Sequence, residues 1–286
     1  MTGRLSAAEL VRDAGKSIPT EEAEFILGLL LRKKRHELYS DKATVPARAR
    51  RRFAELVLKA RDGFPAQYLV HDAPFLDFSV YVDERVLIPR PETEELVLRA
   101  ASRLGAGKRT PIASRQSPIL VVDYGTGSGC IAIALARMFP ESRVLAVDSS
   151  GAALSVCRRN VRRRGIEARI TPVRANSLDH PGISRISGRL DLLISNPPYV
   201  PTPRLEKLDP KVRNHEPLSA LDGGPKGISI LAMLLERGLE MLAAGGLLAL
   251  EIDASQPRLL LKLAPDAVIE RDLAGRPRYL FLKKEA

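Results

Sequence analysis

The chain has 286 residues, 45 % of them apolar, with 45 Lys and Arg against 34 Asp and Glu for a formal charge of +11. That length suits about two domains, and no stretch approaches the eighteen or so uninterrupted apolar residues of a membrane span. Two cysteines, Cys130 and Cys157, are too few for a disulfide framework or a zinc cluster; Met1 to Lys16, interrupted by Glu9 and Asp13, has no apolar signal core, so a cytoplasmic protein is expected.

Residues 1–62 read as helices alone. Ser6 and Thr20 suit N-caps, and Thr20-Glu21-Glu22-Ala23 opens an apolar-periodic run through Leu31. A third helix, Ala47 to Arg61, is basic outside and carries Phe53, Leu56, Val57 and Leu58. So small a bundle is expected to dock a substrate, the plainer alternative being a structural cap. Residues 63–90 form an extended connector in which Phe75 to Val82 alternates like a hairpin strand. Pro91 then suits the first turn of a helix, and the acids after it suit the helix's positive end. A catalytic domain is expected over 91–286, interrupted by a small, polar linker from Gly105 to Ser117.

From Ile119 onward strands and helices alternate. Strands are expected at 119–123, 143–148, 168–174 and 190–195, with helices at 128–139 and 151–164. A long loop, Pro201 to Lys226, leads to a helix at 227–243, a strand at 247–253 and a helix near 256–263. Strands at 267–273 and 278–283 close the chain. The alternation implies an α/β protein with a doubly wound, mostly parallel sheet and helices on both faces.

Two stretches carry chemistry. Val121 to Gly129 is a strand running into a glycine-rich turn, and glycines there let the backbone approach a ligand closely. About twenty residues later Val144 to Asp148 is a second strand ending in an acid, the usual place for a partner of ribose hydroxyls. Together they describe a nucleoside-cofactor site at strand C-termini. Further on, Leu190 to Ile194 is a buried strand that delivers Ser195-Asn196-Pro197-Pro198-Tyr199. The prolines supply no N–H and hold the residues before them extended. The Asn196 side chain and the Pro197 carbonyl are thus two stiff acceptors, with the Tyr199 ring beside them, a socket for a planar –NH2 group. The four histidines, His36, His71, His180 and His215, lie outside both stretches, and no metal-ligand spacing occurs. The basic run Arg158 to Arg164 reads equally as a solvated helix face or as a patch for an acidic partner.

Asp123-Tyr124-Gly125-Thr126-Gly127-Ser128-Gly129 with Asp148 resembles the S-adenosylmethionine site of class I methyltransferases. Asn196-Pro197-Pro198-Tyr199 resembles the socket of those that methylate planar nitrogens. Ile88-Pro89-Arg90-Pro91-Glu92-Thr93-Glu94, Glu216-Pro217, Ala220-Leu221-Asp222-Gly223-Gly224 and Arg276-Pro277-Arg278, with the helical N-terminal domain, extend the likeness. They make the chain similar to the HemK/PrmC family of release-factor glutamine N5-methyltransferases. The resemblance implies a Rossmann-like sheet of seven strands, the last antiparallel, and a substrate glutamine in the Gly-Gly-Gln loop of a peptide chain release factor. It implies S-adenosylmethionine as cofactor, S-adenosylhomocysteine as product and no metal. The cofactor contacts it implies are Asp123, Gly125, Thr126, Gly127, Ser128, Gly129, Asp148, Asn176, Ser177 and Asn196. Asn196, Pro197 and Tyr199 fall in catalytic roles, and Pro198, Arg90 and Glu92 join them against the substrate. A monomer that requires neither nucleic acid nor membrane is expected. Where the family carries an acid for the adenine amine, this chain has Ala175-Asn176-Ser177; Asn176 accepts a hydrogen bond without the charge, which predicts weaker cofactor affinity.

The alternative is an amino-methyltransferase acting on adenine or guanine of DNA or RNA after base flipping, or on a ribosomal-protein glutamine. The charge favours nucleic acid; the Pro-Arg-Pro-Glu-Thr-Glu loop and the helical bundle disfavour it. A cofactor-binding, RNA-associated scaffold without activity is disfavoured by the intact Asn196 socket.

Overall fold

A computed structural model describes residues 5–40, 45–105 and 118–285, which divide into two compact units. The linker expected over Gly105 to Ser117 lies, beyond Gly105 itself, outside the described residues.

The first unit comprises Met1–Asp72 together with Asp209–His215. Its helix α1 (Ala7–Ala14) starts at a capping box. Ser6 Oγ accepts from the Glu9 N–H at 3.3 Å, and the Glu9 carboxylate accepts from the Ser6 N–H at 2.7 Å. Thr20, expected as a cap, is instead the first residue of α2 (Thr20–Leu31), because Pro19 ahead of it already holds the non-helical backbone of that position. Then come α3 (Glu37–Ser40), α4 (Ala47–Arg61) and α5 (Ala66–Val70). Val11, Ile26, Leu27, Leu38, Phe53 and Leu56 pack into one core, and Ala66 of α5 falls in the same cluster. The helical pattern therefore runs past residue 62, and the unit ends at Asp72. The short helix Pro210–His215 belongs here too. Lys211 Nζ pairs with Glu22 at 2.6 Å, and the His215 ring lies 4.6 Å from that of Phe64.

The second unit opens with a small hairpin. β1 (Ala73–Phe75) and β2 (Phe78–Val80) pair antiparallel across Leu76 and Asp77, Leu76 adopting a φ of 52°. Two arginines of the basic run pack on this segment: the Arg159 guanidinium lies 3.4 Å from the Tyr81 ring centroid, and Arg164 donates to the Ser79 carbonyl at 2.5 Å. Helix α6 (Pro91–Leu104) follows.

The main sheet holds β3 (Leu120–Tyr124), β4 (Arg143–Asp148), β5 (Ile170–Arg174), β6 (Leu190–Ser195), β7 (Leu242–Glu251), β8 (Val268–Arg271) and β9 (Pro277–Lys283). Their spatial order is β5-β4-β3-β6-β7-β9-β8, parallel except for β9, which runs against both its neighbours. Between the strands lie α7 (Cys130–Met138), α8 (Gly151–Arg164), α9 (Pro181–Ser184), the helix Pro210–His215 as α10, α11 (Ser229–Met241) and α12 (Pro257–Leu263). Val122, Val147, Leu193, Leu248 and Leu250 are buried where the strands meet the helices. Strands buried on both faces read as continuous apolar runs, as these do.

The loop from Pro201 to Lys226 is more ordered than its composition predicts. It contains a 3-10 turn at Thr202–Lys207, α10, and a second 3-10 turn at Leu218–Ala220. β7 begins at Leu242, five residues ahead of the strand expected from Leu247, with a register irregularity against β6 between Leu190 and Leu192.

One consequence of the strand order positions everything else. The chain proceeds outward from β3 to β4 and β5, then returns to the other side of β3 with β6 and β7. Open α/β sheets bind ligands in the crevice beyond the strand C-termini at such a reversal. Tyr124 and Ser195 are register partners there, so the glycine loop and Asn196 leave the sheet side by side.

Candidate active site

The crevice is a cavity of about 190 Å³ lined by the glycine loop, Asp148, Asn176, Asn196 and Pro198, with Leu87, Pro89 and Thr93 on one side and Pro217 and Ala220 on another. Its walls come from two differently built halves.

The first half is the turn after β3. The Gly125 and Thr126 N–H groups both donate to the Val147 carbonyl, at 2.8 and 2.9 Å, which folds the turn against β4. Gly127 has a φ of 53°, and a Cβ built on it would meet only the Gly125 carbonyl oxygen, at 4.0 Å. Here glycine provides both the left-handed backbone and the open space a ligand needs. Asp148, at the end of β4, accepts from the Gly127 N–H and the Ser150 N–H, each at 2.9 Å. Burial raises its pKa, and these two N–H groups oppose the rise. A carboxylate has about four lone-pair sites, so acceptor capacity remains for a diol in the crevice.

Beneath the loop Asp123 is fully buried. Its Oδ2 accepts from the Thr126 hydroxyl at 2.6 Å and the Ala132 N–H at 3.1 Å, while Oδ1 has no partner. Burial pushes its carboxyl up to about 7, against those two donors and with a further push from the Asp148 charge. Asn160 of α8 ties the loop from behind. Its amide donates to the Ser128 and Tyr81 carbonyls at 2.9 Å and accepts from the Tyr81 N–H at 2.7 Å. The open Gly127 face, the spare capacity of Asp148 and the unpaired Asp123 oxygen fit a cofactor that carries a ribose and a cationic or hydrogen-donating group.

The second half is the turn after β6. Ser195 Oγ donates to the Tyr124 carbonyl at 2.6 Å and locks the two strand ends together. Asn196 Nδ2 donates to Thr93 Oγ1 at 2.9 Å, and Thr93 Oγ1 donates to Glu251 Oε2 at 2.7 Å. The Tyr199 hydroxyl donates to the other oxygen, Glu251 Oε1, at 3.0 Å. Glu251 ends β7 and is 1 % exposed. Burial raises its pKa, while the two hydroxyls and the Arg278 charge hold it down. Burial likewise raises the Tyr199 phenol far above its ordinary value, with Glu251 adding to the rise. On the opposite side, a Cβ on Gly223 would come within 2.7 Å of the Pro198 carbonyl oxygen, so only glycine lets that loop lie against the turn. Val200 exchanges bonds with it: its N–H donates to the Leu221 carbonyl and its carbonyl accepts from the Gly223 N–H, both at 2.9 Å. Gln256 donates to the Tyr199 and Gly227 carbonyls at 2.9 and 2.8 Å.

Of the residues singled out in the sequence, Gly125, Thr126, Gly127, Ser128, Asp148, Asn176, Asn196 and Pro198 line one cavity. Asp123 lies under it, and Pro197 is buried behind. Ser177 turns away, its hydroxyl donating to Asp179 at 3.1 Å. Arg90 and Glu92 are engaged within the protein: Arg90 is ion-paired to buried Glu216, which also accepts from the Ile88 N–H at 3.3 Å, and Glu92 lies 3.5 Å from Arg276. The sequence assigns no role to Thr93, Asn160, Glu216 or Glu251, although Thr93 and Glu216 fall in stretches that carry the family resemblance. Glu251 did carry a signal, an acid ending an apolar strand, the same signal that marks Asp148. None of the four histidines lines the cavity. Among the described residues no cluster of three or more His, Cys, Asp or Glu is placed to hold a metal ion, and no helix is long and apolar enough to cross a membrane.

Comparison with known proteins adds two family matches, the Methyltransferase small domain over residues 113–207 and the PrmC N-terminal domain over 4–70. The release factor glutamine methyltransferase of Rhodopirellula baltica is 35 % identical over 96 % of this chain and 93 % of its own. That of Moorella thermoacetica is 37 % identical, with 100 % of both chains covered. Among solved structures, the ribosomal protein L11 methylase of Lactobacillus delbrueckii subsp. bulgaricus matches 76 % of this chain and 100 % of its own, with a TM-score of 0.50 at 18 % identity, a likeness of fold alone.

Proposed function

The chain belongs to the release factor glutamine methyltransferases, and from that premise we propose the reaction, the cofactor and the roles of the residues. A methyl group passes from S-adenosylmethionine to the side-chain nitrogen of the glutamine in the Gly-Gly-Gln loop of a peptide chain release factor. The observation that carries this reading is the shared crevice: an Asn-Pro-Pro-Tyr turn and a glycine loop leave register-paired strand ends side by side.

Bound in the crevice, the cofactor supplies a methyl group on a positively charged sulfur. Asp148 would accept from its ribose hydroxyls, the glycine loop would let it approach the backbone closely, and Asn176 would stand by its base. Gly129, just ahead of α7, has no side chain to cap the helix, which leaves the helix's positive end for a carboxylate. Asp123, one oxygen unpaired, takes part from below.

The substrate amide is a poor nucleophile because its nitrogen lone pair is delocalised into the carbonyl, as in a peptide bond. Asn196 Oδ1 and the Pro197 carbonyl each accept one of its N–H groups and leave the lone pair aimed at the methyl. Alignment of this kind lowers a barrier by several kcal/mol. The methylated amide cation is strongly acidic and gives its proton to water, so no histidine or other base is required. Pro198 shapes the wall of the socket, and Tyr199, its hydroxyl on Glu251, braces the turn from behind. Arg90 and Glu92, engaged by Glu216 and Arg276, hold the loop ahead of α6 rather than gripping substrate. The helical unit docks the body of the release factor.

The test is incubation with methyl-labelled cofactor and either a release factor or nucleic acid. Label is expected in the release factor alone, and it is expected to vanish when the loop glutamine becomes asparagine. That change shortens the arm by roughly 1.3–1.5 Å, a misplacement that costs about a hundredfold in rate. Label in DNA or RNA beside an unmodified release factor would transfer the reading to a nucleic-acid amino-methyltransferase.

A further inference from the structure

An asparagine amide can sit in its socket two ways, related by a half-turn that exchanges its oxygen and its NH2. Only one way serves the reaction. With Oδ1 toward the substrate, acceptor meets donor; with Nδ2 there, two NH2 groups face each other and the substrate nitrogen is repelled. Nothing about Asn196 itself selects between them.

The selection lies in what stands behind it. Glu251, buried at the end of β7, meets a hydroxyl at each oxygen and is acceptor-only when ionised; burial raises its carboxyl, and the two hydroxyls and the Arg278 charge oppose that rise. Its Oε1 is taken by the Tyr199 hydroxyl at 3.0 Å and its Oε2 by the Thr93 hydroxyl at 2.7 Å. Thr93 has a single proton, and Glu251 takes it. What Thr93 offers in the other direction is a lone pair, and it can meet Asn196 only by accepting, as it does from Nδ2 at 2.9 Å. We propose that Glu251 and Thr93 are positioning residues that fix the amide of Asn196 with Oδ1 toward the crevice, the polarity of a buried carboxylate being passed through one hydroxyl to the acceptor of the substrate amide. Tyr199 completes the arrangement by occupying the second carboxylate oxygen, which leaves Oε2 for Thr93.

This rests on the substrate reading above, so it is tested by two measurements. In the first, release-factor methylation is followed for Thr93→Val, Thr93→Ser and Glu251→Gln. Valine keeps the shape and deletes the hydroxyl; serine keeps the hydroxyl. Glutamine keeps the shape of Glu251 but has one acceptor where the carboxylate has two, so Thr93 and Tyr199 compete for it and the Thr93 hydroxyl is no longer held in one direction, nor is the turn of Asn196. Thr93→Val and Glu251→Gln are expected to lower kcat by roughly tenfold to a hundredfold, with KM for the release factor and calorimetric cofactor affinity within about twofold of the parent. Thr93→Ser is expected to recover most of the loss. Parental kcat in a folded Thr93→Val or Glu251→Gln protein would overturn the proposal. So would a loss in Thr93→Ser as large as in Thr93→Val.

The second measurement needs no substrate. The side-chain NH2 of Asn196, assigned in a nitrogen-15 spectrum by its disappearance in Asn196→Asp, is expected to show one proton held in a hydrogen bond and slow to exchange. That protection is lost in Thr93→Val and kept in Thr93→Ser. An unprotected NH2 in the parent protein would overturn the proposal even if methylation proceeds. A protected one would uphold it even if the wild type fails to label a release factor, which would instead remove the reading of the substrate.

Discussion

The two halves of the crevice do comparable work with different materials. The half proposed to face the cofactor is made of backbone: turn N–H groups on the Val147 carbonyl, Gly127 and Ser150 N–H groups on Asp148, and an uncapped helix start. The half proposed to face the substrate is made of side chains in series, Asn196 on Thr93 on Glu251, with Tyr199 closing the end. A backbone turn has one direction of polarity, built in by the chain. A relay of hydroxyl and amide groups has two, and a charge must choose between them. The first half can therefore lose a contact and remain correctly oriented, whereas the second, deprived of one member, still fills its space and yet points the wrong way.

The sharpest way to break this comparison is Asn196→Ala. It should leave cofactor binding near the parental value while turnover falls on the order of a hundredfold or more, as on removal of a hydrogen bond directed at the transition state. Near-normal turnover in a single-turnover assay would mean that the second half does not orient the nucleophile. Asp148→Ala should do the reverse. Calorimetric titration should show cofactor affinity weakened by about 1.5–3 kcal/mol, roughly ten- to hundredfold in Kd, with kcat at saturating cofactor little changed. An unchanged Kd would remove Asp148 from the cofactor.

A smaller effect separates the halves by pH. Asp123 has a carboxyl raised by burial to about 7 from 3.8, so the folded chain holds its proton where the unfolded chain has released it. The stability this contributes is fully present below about pH 4 and is lost as the pH rises through about 7. Thermal unfolding of the cofactor-free protein should thus show a midpoint that declines between pH 5 and 8. In Asp123→Asn the decline should be flatter by a few degrees, at roughly 2–4 °C per kcal/mol for a chain of this size. Parallel pH profiles in the two proteins would show that Asp123 is ionised throughout.

The same contrast governs how far the site could be read from sequence. The contacts of the glycine loop with the ends of the two strands beside it span 3 residues, from Thr126 to Asp123, or 21, from Gly127 to Asp148. Such spacings recur within one strand–turn–helix unit, and pattern alone exposes them. The contacts behind Asn196 span 103, 158 and 52 residues. They exist only because β6 and β7 are sheet neighbours and α6 is laid across their ends, facts that no local pattern contains. Thr93 and Glu251 were thus invisible as partners, although each sat in a stretch already noticed. The alternation of strands and helices similarly predicted the sheet, whereas the five-residue advance of β7 and the turns inside Pro201 to Lys226 depend on neighbouring strands and went unseen. Pro19 displaced the cap expected at Thr20 through a local rule that was available but outweighed by the capping pattern.

The helix Pro210–His215 has a bearing on how the molecule is made. It is counted with the helical unit, and its Lys211 reaches Glu22 across 189 residues of chain. Synthesis proceeds from the N-terminus, yet this N-terminal body lacks one of its pieces until residue 215 has been translated. At about 5–20 residues per second, roughly ten to forty seconds separate the making of Glu22 from the making of its partner. During that interval the second unit's strands through β6 are already emerging from the ribosome. The bundle is the first segment born, yet it is completed only after β6 of the second unit has been made, and a shortened chain ending before Asp209 would carry it unfinished.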